Sequence, residues 1–405
     1  MNYMTICCIA KDEHAYIREW VDHHLAVGAE KIIIYDNESD PPLNTALREH
    51  IEHGLVDIHA IPGQARQILA YHHCLKTYSA ESAWIAFIDV DECLIPKSHD
   101  DARLILCDYE EFGGLGVHWV EFGSSGHLKR PSLSQLSSYV HRFPLEYGKN
   151  MHIKSIVQPS KTLEPFDPHK FIFREPWYCV DENFYPIAES QGPFTASRIQ
   201  LNHYYYRSQQ DYCQKLDRGR ADRVDEAGKR KHEDFHRQAK QAVTFDDAGL
   251  RHGRNLESRF SDFEALRIFI QDRASVRQEF AAYSGSIMRL ISAGKTDTAM
   301  HLVRQLVVNG GNKDVTDYAI AKIHRKNGDF EAAMAFLRKI LSRHPDYDVG
   351  IEYASLLIKT DKFDEARSTL RYVQWKFRDI IKKEPNRQRC IDTLMDKTNK
   401  PHVSG

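Results

Sequence analysis

Short apolar runs alternate with helix-length segments through roughly the first ninety residues, and this alternation narrows the possible folds most. Met4–Ala10, Lys31–Tyr35, Val56–Ile61 and Trp84–Ile88 are rich in β-branched and aromatic residues and read as strands. Between them, 15–27, 44–53 and 65–78 read as helices. Ile17, Trp20, Val21, His24 and Leu25 fall on or near one helical face. Gly28 and Gly54 stop two of the helices, and Pro62-Gly63 stops a strand. Strands joined by helices of this length imply βαβ units and a largely parallel sheet.

From about Gly113 to His203 the pattern loosens into aromatic and Pro/Gly-containing segments, which predicts mixed strands and long loops. Residues 211–240 are highly charged and helical. After about Ser261 the composition turns to helix formers, and a repeat emerges. Ala299, Ala333 and Ala366 stand at matching places in GKTDTA, GDFEAA and DKFDEA, 34 and 33 residues apart, and His344-Pro345 closes the second unit. That period, with a small residue at the helix crossing, resembles tetratricopeptide repeats. The expected division is a catalytic domain over 1–245, a linker over 246–260, a helical domain over 261–385 and a flexible tail over 386–405.

A chain of 405 residues is long for one core, so two domains are expected. A formal net charge of −2 argues against a nucleic-acid binder working through a basic surface. No apolar stretch approaches the roughly 20 residues of a membrane span, and the N-terminus lacks a secretory pattern. The eight cysteines form no CxxC pair and read as reduced thiols of a cytoplasmic protein, at most peripheral at an inner membrane.

The chemistry concentrates in Trp84-Ile-Ala-Phe-Ile-Asp89-Val-Asp91-Glu92. An apolar strand delivers two carboxylates to its C-terminal end, where open α/β sheets bind ligands. Residues i and i+2 of a strand share a face, so Asp89 and Asp91 are expected to converge on one Mn²⁺ or Mg²⁺ that bridges a diphosphate. Tyr35, Asp36 and Asn37 end the second strand at the same edge and can meet a base or ribose, although Asp and Asn also favour turns. His203, in NHYYYRS, can complete a metal site, and Lys215, Arg218 and Arg220 can bind phosphate. Trp119, with Gly123, Ser124, Ser125, Gly126 and His127 of FGSSGH, fits an acceptor- or sugar-binding loop. Glu121 and Glu182 are the candidate general bases.

The ordered series KDE, EWVDHH, GAEKIIIYDNES, AYHHCL, WIAFIDVDECLIP, FGSSGH, HIKSIV, HKF, NHYYYRS and KLDRGR resembles glycosyltransferase family 92 and its bacterial relatives, from Ile6 to about Arg220. The resemblance implies a GT-A fold, that is, a Rossmann-like mixed sheet, here followed by an all-α helical-repeat domain. It implies transfer with inversion, and several members use UDP-galactose. By resemblance Asp89 and Asp91 are the metal and ribose-diphosphate carboxylates, His203 is the later metal ligand, and Asp36 meets the base. Lys11 and Gln67 join the nucleotide-sugar site on the same ground. Eukaryotic members carry an N-terminal membrane anchor that this sequence does not show, and the helical region lies outside the family core. Both departures point to a bacterial-type enzyme of surface polysaccharide synthesis, with a UDP-sugar donor and a glycan acceptor. The helices are expected to bind a protein partner or a second copy.

Two other classes fit parts of the chain. FIDVDE loosely resembles the aspartyl-phosphate motif of metal-dependent phosphohydrolases, although Cys93 follows Glu92 and the motif lies far from the N-terminus. A non-catalytic scaffold working through its repeats is the other.

Overall fold

Each of the four apolar runs forms a strand: β1 (Asn2–Ala10), β2 (Lys31–Asp36), β3 (Val56–Ala60) and β4 (Ser82–Phe87). The helices between them are α1 (Ile17–Ala26), α2 (Arg48–Glu52) and α3 (Gln67–Tyr78). The 44–53 segment is broken, a 3₁₀ turn over Leu43–Thr45 preceding the short α2. The computed structural model describes residues 1–218, 232–238, 240–252, 284–308 and 312–398. It divides into two compact units, 1–272 and 273–405.

The first unit continues with β5 (Glu92–Pro96), α4 (Ala102–Leu106), β6 (Gly114–Glu121), α5 (Gln135–Ser138), β7 (His141–Arg142), β8 (Ile153–Val157), β9 (Thr162–Pro165), β10 (Phe171–Phe173), β11 (Cys179–Val180), β12 (Ile199–His203), α6 (Gln209–Arg218), α7 (His232–Gln238) and β13 (Thr244–Phe245). The sheet order is β3-β2-β1-β4-β8-β6-β12-β5, with β11 beside β6. β1 to β4 are parallel, β8 is antiparallel to β4 and β6, and β12 runs parallel to β6 but antiparallel to β5. The expected α/β unit is therefore present, with a mixed sheet.

β1 is apolar from Ile6 to Ala10 because both its faces are covered there. Met4, Ile6, Cys8 and Ala10 share one core with Ile17, Trp20, Val21 and Leu25 of α1. Cys7 and Ile9 join Ala70, Tyr71 and Cys74 of α3 on the other face. The strand directions bring six ends to one edge of the sheet. The ends of β1, β2, β4, β6 and β12 and the start of β5 meet there, and with them Lys11, Asp36, the Asp89–Asp91 turn, Glu121, His203 and Glu92. Residues far apart in sequence thus share one rim.

α1 is tied to the sheet by His24. Its Nδ1 lies 2.7 Å from the Trp20 carbonyl oxygen, and its Nε2 accepts the Leu94 N–H at 3.2 Å. Only the neutral Nδ1–H tautomer satisfies both bonds, and burial pulls the ring down to about 3. A histidine held neutral by the fold gives stability that is complete above its unfolded value near 6.5. That stability is lost as pH falls from there towards the folded value. Going from pH 7 to pH 5 should cost about 2 kcal/mol at this site. His24→Gln, which also offers a donor and an acceptor, should remove that share of the pH dependence. Urea unfolding at both pH values decides it, and identical pH dependence in the two proteins would refute the assignment.

In the second unit, helix pairs Ser284–Ser292/Thr296–Val308, Lys313–Lys326/Phe330–Arg343 and Tyr347–Lys359/Phe363–Lys376 follow the repeat. Ala299, Ala333 and Ala366 are all fully buried. Five residues before each stands Gly294, Gly328 or Asp361, and all three adopt positive φ (76°, 85° and 58°). The turn of each pair needs a left-handed residue, which Gly supplies freely and Asp tolerates. The flexible tail expected from 386 is corrected: Pro385–Thr398 is a helix with Ile391 and Leu394 buried against Leu370 and Val373. Apolar residues three apart gave that helix a face to bury. Residues 399–405 and most of the expected 246–260 linker lie outside the described residues.

Candidate active site

β4 ends at Phe87, so Asp89-Val90-Asp91 forms the turn into β5 rather than a continuation of the strand. The shared-face expectation for Asp89 and Asp91 fails for that reason, since the period of two holds only within a strand. The turn is held from below by Glu92. Its Oε2 accepts the Asp89 N–H at 2.8 Å and its Oε1 accepts the Trp119 indole N–H at 2.7 Å. Arg207 holds it from the side by donating to the Val90 carbonyl oxygen at 3.0 Å. Arg207 also pairs with Glu13 at 2.6 Å and lies 3.8 Å over the Tyr16 ring. A turn braced on both sides presents its two carboxylates in different directions.

Asp91 is buried against cations. Lys215 Nζ is ion-paired to Asp91 Oδ2, and His203 Nε2 lies 3.8 Å from the same oxygen. Burial alone would raise the Asp91 carboxyl, but Lys215, His203 and Arg207 together hold it well below the usual range. β12 pairs His203 with Glu92 on one side and Glu121 on the other, which places the imidazole at this rim. Its Nδ1 is 2.7 Å from Glu121 Oε2. Burial pulls His203 down, but Glu121 and Asp91 raise it to about 9. Trp119 walls the group, its ring centroid 4.2 Å from that of His203.

Asp89 belongs to a second group. Its Oδ2 takes an ion pair from Lys154 at 2.8 Å and its Oδ1 accepts from Gln67 Nε2 at 2.8 Å. Lys154, 1% exposed, also lies 3.6 Å from Glu92. Burial pushes Glu92 up to about 7 against the pull of Lys154. Among the described residues no three His, Cys, Asp or Glu side chains gather as ligands of one ion. Asp89 is thus engaged by Lys154 and Gln67, as Asp91 is by Lys215. Asp91 and His203 still fit a hard cation: Mg²⁺-like ions commonly take one or two protein ligands and complete their shell with water and substrate phosphate. Beside them opens a cavity of about 530 Å³, lined by Glu13, Tyr16, Arg130, Tyr205, Arg207 and Lys215 among others. That volume is within the range of small-molecule sites.

Trp119, Gln67, Asp89, Asp91, Lys215 and His203 are thus brought together, and Lys11 lies on the same edge, directly after β1. The other sequence candidates have partners of their own. Asp36 accepts the N–H groups of Ser39 and Leu43, and Asn37 donates to the Ile61 and Gly63 carbonyls, so both serve the loop after β2. Asp and Asn commonly support turns in this way. Tyr35 points to the α3 side, its hydroxyl 2.7 Å from His73 Nδ1. FGSSGH is a structural junction. Ser124 bonds Gln238 through its N–H and its hydroxyl, Ser125 Oγ accepts from the Val140 and His141 N–H groups, and His127 Nε2 lies 3.1 Å from the Ser138 carbonyl oxygen. A Cβ at Gly123 would come within 2.4 Å of Ala242 and Gln238, and Gly126 turns at φ 81°. Close packing and turn geometry thus account for both glycines.

Glu182 lies at the far end of the sheet, after β11, which pairs with the start of β6. Its carboxylate clamps the backbone N–H groups of Ser197, Arg198 and Ile199. Glu121 is fully buried behind His203. Neither is placed to take a proton from an acceptor hydroxyl. Arg218 ends α6, but its side chain and the whole of Arg220 lie outside the described residues.

Lys154, Glu92, Arg207 and Glu13 escaped the sequence reading. Lys154 carried a signal: a lone lysine inside the apolar run Ile153–Val157 must find a buried carboxylate. Arg207 and Glu13, 194 residues apart, carried none beyond lying in the quoted motifs.

Comparison with known proteins agrees with this architecture. The family model "Glycosyltransferase family 92" matches residues 3–258, and a tetratricopeptide-repeat model matches 324–375. A glycosyltransferase family 92 protein of Oryza sativa subsp. japonica is 28% identical over 160 residues, 38% of this chain and 27% of that protein. One from Ricinus communis is 30% identical over 161 residues, 38% of this chain and 28% of that protein. The matches therefore span little more than a quarter of these relatives' length. Among solved structures, S. aureus TarS 1-349 in complex with UDP aligns with 39% of this chain and 47% of its own at 13% identity and TM-score 0.28. S. aureus TarS 1-349 aligns with 84% and 92% at 11% identity and TM-score 0.29. Because the family model takes in well over half of the sequence and all of the rim described above, the chain belongs to glycosyltransferase family 92.

Proposed function

We propose that this chain transfers a sugar, galactose in the first instance, from a UDP-sugar to a glycan acceptor with inversion and with the help of Mn²⁺ or Mg²⁺. The observation that carries this reading is the convergence of Asp91, His203 and Lys215 at the C-terminal edge of the mixed sheet, beside an open cavity. Asp91 and His203 would hold the ion, which when bound offsets the charge gathering on the departing diphosphate. Lys215, already at Asp91, brings a second positive charge to the same place. Arg207, Glu13 and Glu92 keep the carboxylate turn in position.

UDP as carrier and inversion rest on the resemblance to the family. A bacterial surface polysaccharide as the product also rests on resemblance, to bacterial members, whereas the relatives reported above are plant proteins. No helix among the described residues is long and apolar enough to cross a membrane. With the cysteine content, that supports a cytoplasmic enzyme, at most peripheral at a membrane surface. The helical-repeat unit is proposed to engage a partner protein or a second copy.

UDP with Mn²⁺ should raise the melting temperature, because a ligand bound only by the folded state adds about 2.7 kcal/mol at a hundredfold excess over its Kd. UDP alone should shift it less. Absence of any shift with millimolar nucleoside diphosphates, with or without the ion, would sink the donor-site reading.

A further inference from the structure

Glu121 takes no part in the chemistry above, yet it is fully buried directly behind the rim. We propose that Glu121 is a positioning residue that fixes the His203 ring so that Nε2, and not Nδ1, is offered to a divalent cation beside Asp91. The inference rests on the cation-dependent reading and deepens it.

Four observations carry it. Glu121 and His203 are directly paired across β6 and β12, and Glu121 Oε2 lies 2.7 Å from Nδ1. The opposite ring nitrogen, Nε2, lies 3.8 Å from Asp91 Oδ2. The backbone that carries the carboxylate is pinned, the Glu121 N–H donating to Asn150 Oδ1 at 2.9 Å, and Lys149 Nζ stands 3.7 Å from Oε1. Trp119 packs on one side of the imidazole and Tyr205 lies 5.6 Å away, so the ring has little freedom to turn. A carboxylate at Nδ1 holds a proton there, so the proton that a binding cation displaces is the one on Nε2, and Nε2 becomes the ligand atom. Carboxylate–histidine pairs of this kind commonly govern metal affinity.

Glu121→Gln tests this. The amide can turn either its oxygen or its NH₂ to Nδ1, and the second arrangement puts the proton on Nε2 and blocks it. Free Mn²⁺ is measured by electron paramagnetic resonance in titrations of the full chain, with and without UDP. Glu121→Gln should weaken Mn²⁺ binding 10- to 100-fold, by the usual effect of such partners. Glu121→Asp keeps the charge but draws it back by one methylene, so it should lose affinity by a smaller factor. Mn²⁺ binding by Glu121→Gln equal to that of the wild type overturns the positioning role. If that variant does not fold, Glu121→Asp decides, and unchanged affinity there overturns it too. A wild-type chain that binds no Mn²⁺ even with UDP instead defeats the cation-dependent reading itself, a distinct result.

Discussion

Asp91→Asn should abolish sugar transfer while leaving the first unit folded. The amide keeps the shape of the side chain and removes the charge to which Lys215 and His203 are both drawn. A hard divalent ion binds a neutral amide oxygen far more weakly than a carboxylate. Loss of the ion removes several kcal/mol of transition-state stabilisation, roughly a thousandfold or more in rate. The fold should survive because the turn is braced through the Val90 carbonyl and Glu92, not through the Asp91 carboxylate. Transfer assayed with UDP-galactose and Mn²⁺, alongside a melting curve, gives the answer. Full transfer by a well-folded Asp91→Asn protein would remove Asp91 from the ligands.

Lys154→Met should destabilise the first unit by about 3–5 kcal/mol, the usual cost of breaking a buried ion pair from one side. Lys154 is almost fully buried between Asp89 and Glu92, and their charges hold its ammonium above the ordinary lysine range against the effect of burial. Without it two neighbouring carboxylates face each other in a poorly solvated place. Adding Glu92→Gln to Lys154→Met should recover part of the loss, because the remaining buried charge then falls by one. Guanidinium unfolding of the wild type, the single variant and the double variant measures this. A single variant within 1 kcal/mol of the wild type would show that the triad carries no structural weight.

Much of this was legible in the sequence because it is set locally. The period of apolar residues fixes strands and helices, and an Asp-Val-Asp directly after a buried strand must lie at that strand's end, whatever surrounds it. The repeat could be read from Ala299, Ala333 and Ala366 because each buried alanine answers to the same local helix crossing. His203 could be placed at the rim because it closes a strand.

The sequence by itself therefore determined the two architectures, the carboxylate pair at the rim and the candidate histidine. Only the tertiary structure decided what each polar group does. Lys154 and Asp89 are 65 residues apart, Glu121 and His203 82, and Lys215 and Asp91 124. Their meetings depend on the sheet order, in which β8 and β6 come between β4 and β12. The same dependence turned Asp36 and Asn37 into loop supports, FGSSGH into a packed junction and Glu182 into a clamp on the far side. A side chain's type says which bonds it can form, but a buried polar atom takes whichever partner the fold brings within reach, because leaving it unpaired costs more than almost any choice of partner.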